Sequence, residues 1–150
     1  MTRDAVHIRC AGREEAPVIA AILRESFDAA LPRLAGLHTP EDDLAFVRDA
    51  LFKSCDIACA GSGGVLAGFA AVNGESIEQF YLRPAFQRRG IGSALLAHVR
   101  KGRRQLELWT FQENVGARAF YARHGFIEAE MTDGAGSEEK APDVHMVWRR

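Results

Sequence analysis

The run Gln87-Arg88-Arg89-Gly90-Ile91-Gly92-Ser93 constrains this chain more than any other stretch. Ahead of it, residues 76–82 are rich in apolar and aromatic side chains and read as a strand. Arg83-Pro84 ends that strand, because proline has no N–H to give a ladder. Behind it, Ile91, Leu95, Leu96 and Val99 recur at helical spacing, so a helix starts near Gly90. A loop with two arginines and two glycines therefore opens straight into a helix N-terminus. Glycine lets backbone approach a ligand closely, the first-turn N–H groups point outward without partners, and the dipole favours an anion. Arg88 and Arg89 add positive charge beside them. The arrangement suits a phosphate group; the alternative is a plain turn with two solvated arginines.

Two well-defined phosphate motifs do not fit. A P-loop requires G-x-x-x-x-G-K-[ST], which the chain lacks. A dinucleotide fingerprint requires G-x-G-x-x-G directly after a strand, whereas Gly90-Ile91-Gly92-Ser93-Ala94-Leu95 lacks the third glycine and begins several residues late. Glu113 stands near the spacing of a ribose-binding acid, but without the rest it signifies nothing. Further on, residues 106–111 alternate with a period of two and read as a strand. Residues 114–126 follow as a helix, with Asn114 placed to cap it and Gly125 in the position of a C-terminal glycine. Asn114 and Tyr121 are seven residues apart and share a face, about 10.5 Å along the axis.

These segments resemble the GNAT superfamily of acyl-CoA-dependent N-acyltransferases. Residues 80–96 look like its Q/R-x-x-G-x-G/A motif, and residues 114–126 look like its asparagine–tyrosine helix, in the right order. The resemblance is strongest from Ile77 to Phe126. It implies a mixed α+β fold with a mostly antiparallel sheet of six or seven strands and helices on both faces. It further implies transfer of an acetyl group from acetyl-CoA to a primary amine, by direct attack in a ternary complex. The backbone from Arg88 to Ser93 (Arg88, Arg89, Gly90, Ile91, Gly92, Ser93), with Gln87 at the head of the motif, would hold the pyrophosphate. Backbone groups of Phe80, Tyr81 and Leu82 would meet the pantetheine arm as an added strand would, and their side chains would pack in the core. Asn114 would serve as cap, as pantetheine ligand, or both. Tyr121 would hydrogen-bond or protonate the departing sulfur, a phenol with a pKa of about 10 being a suitable donor; the alternative is a tyrosine packed beside Phe120. Glu78 is the candidate general base, expected on the same side of its strand as Phe80 and Leu82 and partly buried; the alternative is a cross-strand ion pair. Some relatives acting on peptide N-termini carry a carboxylate where this chain has Trp109, which weakens that acceptor class. A catalytically silent acyl-CoA-binding module of the same fold is the contrasting reading.

The 150 residues suffice for one domain spanning 1–150. A net charge of −1, with 47% hydrophobic and 26% charged residues, gives no reason to expect nucleic acid or a membrane as partner. The three cysteines, Cys10, Cys55 and Cys59, cannot all pair, and Cys55 and Cys59 are most simply small buried residues of a reducing compartment. A cytoplasmic location is expected, with no exported leader. Residues 5–9 read as a first strand, 14–30 as an amphipathic helix, and Thr39-Pro40-Glu41-Asp42 as the capped start of a second. Residues 55–60 and 65–72 read as a hairpin about the turn 61–64, and Asn73-Gly74 as a type I′ turn. Residues 126–131 and 143–148 complete the strands, and a homodimer formed by pairing these terminal strands is compatible with the pattern. His38 is a loop residue that would either face the acceptor or be solvated. Glu138 and Glu139, with Asp133 and Asp143, form an acidic loop that would attract a cationic amine or simply be solvated.

Overall fold

In the computed structural model, which describes residues 5–150, seven strands form one sheet in the order β1-β2-β3-β4-β5-β7-β6. The strands are β1 (Val6–Cys10), β2 (Asp56–Ser62), β3 (Val65–Asn73), β4 (Ser76–Leu82), β5 (Gln105–Phe111), β6 (Ile127–Thr132) and β7 (Asp143–Arg149). Every neighbouring pair is antiparallel except β4 and β5. β7 lies between β5 and β6, so both its edges are used within the chain and only β6 remains open at that end.

Helix α1 (Ala16–Ala30) and the segment after it cover one face. That segment starts as α2 (Pro40–Ala45), widens into a π-helical stretch (Phe46–Leu51) and closes with the single turn α3 (Phe52–Ser54). Its start follows from the sequence: Thr39 Oγ1 accepts the Asp42 N–H at 3.1 Å while the Asp42 carboxylate accepts the Thr39 N–H at 2.9 Å, with Pro40 at the first helical position. Ile19, Ile22, Val47 and Leu51 bury against Cys59 and Phe69 on this side. Helix α4 (Ile91–Arg100) and helix α5 (Val115–Arg123) cover the other face, where Ile91, Leu95, Leu96, Leu106 and Met146 are buried. β3 supplies both cores, which is why its residues 67–72 are buried without alternation.

Two turns differ from the sequence expectation. β2 runs on to Ser62, leaving only Gly63 and Gly64, both at positive φ, as the hairpin loop. Asn73 pairs with Ser76, so the next loop is Gly74-Glu75; only its first residue has positive φ, the mark of a type II′ rather than a type I′ turn. Cys59 is buried, but Cys55 is half-buried and precedes β2 rather than lying in it. Among the described residues no helix is long and apolar enough to cross a membrane.

Candidate active site

The loop after β4 folds as a short 3-10 turn (Pro84–Phe86) and then turns twice through the left-handed region, at Arg88 (φ 62°) and Gly90 (φ 80°). A left-handed arginine is a strained position, of the kind that persists where the surrounding chain enforces it. Gly90 is the N-cap of α4 but offers no side chain to it, and the first bond within the helix runs from the Ala94 N–H to the Gly90 carbonyl at 3.1 Å. The N–H groups of Ile91, Gly92 and Ser93 are thus left without partners among the described residues, at the positive end of the helix dipole. Among the described residues, nothing stands within 4 Å of where a Gly90 side chain would begin. At Gly92 the reverse holds: a Cβ would come within 3.0 Å of Leu82 Cδ1 and 3.3 Å of the Phe120 ring. Glycine is what lets the helix start lie this close to β4 and α5. Arg89 rests over the Phe86 ring at 5.4 Å, and the Gln87 amide donates to the Leu82 carbonyl at 3.3 Å, folding the loop back onto the strand end.

β4 and β5 pair only at Ser76–Glu107 and Ile77–Leu108, then part. The remainder of β4 keeps its bonds to β3 and exposes its other edge. Because the Arg83 N–H donates to the Ala67 carbonyl, the antiparallel alternation gives Tyr81 the hydrogen-bonded pair with Phe69 and turns the N–H and C=O groups of Phe80 and Leu82 toward the parted side. The Leu82 carbonyl is already engaged by the buried Ser26 hydroxyl at 2.8 Å. The Leu82 N–H and both backbone groups of Phe80 remain for a ligand strand. Asn114 caps α5, its Oδ1 accepting the Ala117 N–H at 3.1 Å, and its side-chain NH2 has no partner among the described residues. The other end of α5 closes as a Schellman motif: Gly125 (φ 88°) donates to Ala122, and Phe126 to Tyr121.

Tyr121 is 6% exposed and lies among Phe80, Phe120 and Phe126, with ring centroids 6.0, 5.4 and 5.3 Å away. Its hydroxyl has no hydrogen-bond partner among the described residues, yet it is not one of the sealed, unpartnered polar atoms, which are Nε of Arg83 and of Arg100. Burial, and then the nearby Tyr81, push its phenol well above the ordinary range, so it stays a proton donor through neutral pH. Burial likewise pushes Tyr81 up to about 12.

Glu78 departs from the strand-periodicity expectation. Val72 pairs with Ile77 and Ala71 with Gln79, so Glu78 is the extra residue of a β-bulge. The bulge reverses the alternation: Ile77, Phe80 and Leu82 face α4, whereas Glu78 and Tyr81 face the opposite side, and Glu78 is exposed rather than partly buried. It makes no ion pair among the described residues. Tyr121 and Glu78 therefore belong to opposite faces of the sheet, and the parting of β4 from β5 is the opening between them.

Glu78 and Tyr81 line a cavity of about 730 Å³ walled by α1, the loop before α2, the end of β5 and the β6–β7 loop. Arg24 lies in its wall, but the Asp43 carboxylate holds it at 2.8 Å through two bonds and Asp28 at 2.9 Å through a third. The carboxylates of Asp42, Glu78, Glu138, Glu139 and Asp143, none bound to an arginine or lysine among the described residues, are left to set the charge. His38 does face this cavity, 3.8 Å from Glu138. Of the acidic loop, Asp143 also reaches the cavity but accepts the Thr132 hydroxyl, and Asp133 turns away to bond the Ala135 N–H. Trp109, 49% exposed, closes one side and stacks on His145 at 4.8 Å. Glu113 is bound to Arg33 at 2.6 Å, away from any phosphate role. Sequence reasoning did not find Ser26, the Arg24–Asp43 pair, or the contact of Ser93 Oγ with His124 Nε2 at 3.1 Å. Each joins residues 19 to 56 positions apart, with no local pattern to announce it.

The comparisons with known proteins agree with this geometry. The acetyltransferase (GNAT) domain matches residues 53–128. The peptidyl-lysine N-acetyltransferase YiaC of Escherichia coli is 31% identical over 143 residues, which span 94% of this chain and 95% of that protein. An uncharacterized N-acetyltransferase of Methanocaldococcus jannaschii is 43% identical over 63 residues, 39% of this chain and only 28% of that protein. In structure, the PaiA N-acetyltransferase of Thermoplasma acidophilum in complex with coenzyme A superposes with a TM-score of 0.72 at 20% identity, over 97% of this chain and 99% of that one. With the domain match covering half the chain and the E. coli relative nearly all of it, the parted strands and the uncapped helix start are those of a member of the GNAT acetyltransferase superfamily.

Proposed function

We propose that this chain transfers the acetyl group of acetyl-CoA to a primary amine, the acceptor attacking directly in a ternary complex. The observation that carries the proposal is a continuous track: the unpartnered amides of Ile91–Ser93, the open β4 edge at Phe80 and Leu82, and the unpartnered Tyr121 hydroxyl. A pyrophosphate fits the amides and the open space at Gly90. An amide-containing arm fits the β4 edge and the free Asn114 side-chain amide. When bound, acetyl-CoA supplies an activated acyl thioester.

The chain's own groups do the rest. Tyr121 donates its phenolic proton, or a hydrogen bond, to sulfur as the thiolate leaves, and its raised pKa keeps that proton in place beforehand. Glu78, on the opposite side of the parting, accepts the proton that an ammonium with a pKa of about 10.4 must lose before attack, directly or through water. The acceptor enters through the cavity, where Glu78, Glu138 and Glu139 favour a cation and Trp109 and Phe46 offer apolar surface to an alkyl stem. The E. coli relative's name supports a lysyl side chain as the acceptor.

The test is incubation of the purified chain with acetyl-CoA and a short lysine-containing peptide blocked at both ends. Saturable thiol release, with one acetyl group gained at the lysine by mass spectrometry, is expected. Binding of acetyl-CoA with no thiol release above the blank, for the peptide and for simple alkyl diamines, would overturn the transferase reading in favour of a silent acyl-CoA-binding module.

A further inference from the structure

We propose that His124 is a positioning residue for the phosphate-binding turn, acting through the Ser93 hydroxyl and making affinity for the CoA pyrophosphate dependent on its proton. The proposal rests on the cofactor reading above and adds to it a residue and a regulation.

His124 is the C-cap of α5, and α5 packs across the start of α4. Its Nε2 lies 3.1 Å from Ser93 Oγ, and Ser93 is the third residue of the uncapped first turn of α4. A hydroxyl has one proton to donate. With no anion present, Ser93 can give that proton to a neutral His124 whose Nε2 is bare. Once the turn holds a phosphate oxygen, the same proton is wanted by the anion, and when Ser93 gives it there the hydrogen bond to His124 is kept only if Ser93 accepts from Nε2 instead. His124 must then carry a proton on Nε2. Either it changes tautomer, which costs no net charge, or it takes a second proton from solvent and becomes imidazolium.

The surroundings decide how these two routes compete. The ring is half-buried and stands against Phe120, centroids 4.7 Å apart. Arg100 on α4 donates to the His124 carbonyl, and Arg123 precedes it on its own helix. Burial first, then these two guanidiniums, hold the imidazole below its usual range, and among the described residues no carboxylate is one of the groups that act on it. In the free protein His124 is therefore neutral at pH 7. An anion one hydroxyl away supplies the opposite charge that the site lacks and favours the imidazolium. The bound state then holds more protons than the free state over an interval below neutrality, so affinity rises as pH falls through that interval. The limit is tenfold in affinity for each unit by which binding raises the pKa. Ser93 is the link: without its hydroxyl the ring has no hydrogen-bonded route to the anion.

The experiment is calorimetric titration of the full chain with acetyl-CoA at about pH 7.5 and about pH 5.5, in buffers of different ionisation enthalpy, for the wild type and for His124→Gln, His124→Phe and Ser93→Ala. The CoA phosphates titrate identically against every variant, so ratios between variants cancel that contribution. Wild type is expected to take up protons on binding and to gain affinity at the lower pH relative to His124→Gln. His124→Gln has an amide that can donate to Ser93, and it should recover at pH 7.5 affinity that His124→Phe loses, a loss of roughly fivefold for one hydrogen bond. In Ser93→Ala the His124→Phe change should have no further effect. Identical pH profiles for wild type and His124→Gln, with equal proton uptake, would overturn the proposal while leaving the cofactor reading intact. Additive losses in the Ser93→Ala/His124→Phe double variant would do the same. A wild-type chain that is folded but gives no heat with acetyl-CoA would overturn the cofactor reading and this proposal with it.

Discussion

Replacing Tyr121 by phenylalanine separates chemistry from folding more cleanly than any other change. The ring contacts with Phe80, Phe120 and Phe126, at 6.0, 5.4 and 5.3 Å, are kept, because phenylalanine has the same ring. The hydroxyl removed has no hydrogen-bond partner among the described residues, so no buried group is orphaned by its loss. The change in folding free energy should therefore stay within about 1 kcal/mol of zero. The change in turnover should be large. A positioned proton donor to a leaving group contributes roughly 10²- to 10⁴-fold, which is about 2.7 to 5.4 kcal/mol of activation free energy at 1.36 kcal/mol per decade. The assay is thiol release at saturating acetyl-CoA, with the melting temperature and the acetyl-CoA dissociation constant measured on the same sample. A drop in kcat of at least about a hundredfold at unchanged Kd and Tm is expected. A kcat within about threefold of wild type, or a loss matched by an equal loss of acetyl-CoA affinity, would refute the assignment of Tyr121 as donor.

Glu78→Gln should lower kcat/KM for an alkylamine at neutral pH about 10²-fold, with a residual rate that climbs about tenfold per pH unit toward the acceptor's own pKa; a wild-type rate would remove Glu78 as base. Gly92→Val places a branched carbon where the nearest neighbours already stand at 3.0 and 3.3 Å, and overpacking of this kind costs about 1 to 3 kcal/mol, read as a lower urea midpoint. An unchanged midpoint would contradict the close approach of α4 to β4. Glu15, on the turn before α1, has its carboxyl held at about 2 by Arg9 and then by the Gly12 N–H. Its folded value lies below the unfolded one, so its stabilisation is present above about pH 4.3 and is lost as pH falls from there toward 2. Urea midpoints of wild type and Glu15→Gln should accordingly differ near neutrality and converge in strong acid; a gap of constant size would contradict the pairing with Arg9.

Much of the candidate site was legible because it is local in sequence. The loop from Gln87 to Ser93, the Asn114 cap, the Gly125 stop and the Thr39–Asp42 capping box each depend on residues within one or two turns, where side-chain type dictates backbone geometry directly. The mixed sheet with helices on both faces followed from the family resemblance and the strand spacing. What escaped was decided by pairing between strands. The bulge at Glu78 is a register shift against β3, and strand alternation alone placed that carboxylate on the wrong face. The parting of β4 from β5 leaves no sequence signal, because it is the end of a ladder rather than a property of either strand. The position of β7 between β5 and β6 likewise depends on long-range pairing, and it removes β7 as a free edge for a second copy. The acidic loop and His38 were each legible as candidates, but not the cavity they share, because the meeting of these two loops is a contact a hundred residues apart in the chain.

The central claim is that the uncapped start of α4 and the open edge of β4 together hold acetyl-CoA. Isothermal titration of the folded chain with acetyl-CoA, alongside desulfo-CoA and adenosine diphosphate, tests it most directly, with Gly90→Glu as the control that puts a negative side chain into the phosphate space. The account predicts saturable binding of acetyl-CoA at or below about 100 μM, roughly −5.5 kcal/mol or stronger, weaker binding of the diphosphate, and loss of both in folded Gly90→Glu. An absence of heat at millimolar acetyl-CoA from a folded wild-type sample, or full affinity in folded Gly90→Glu, would contradict it.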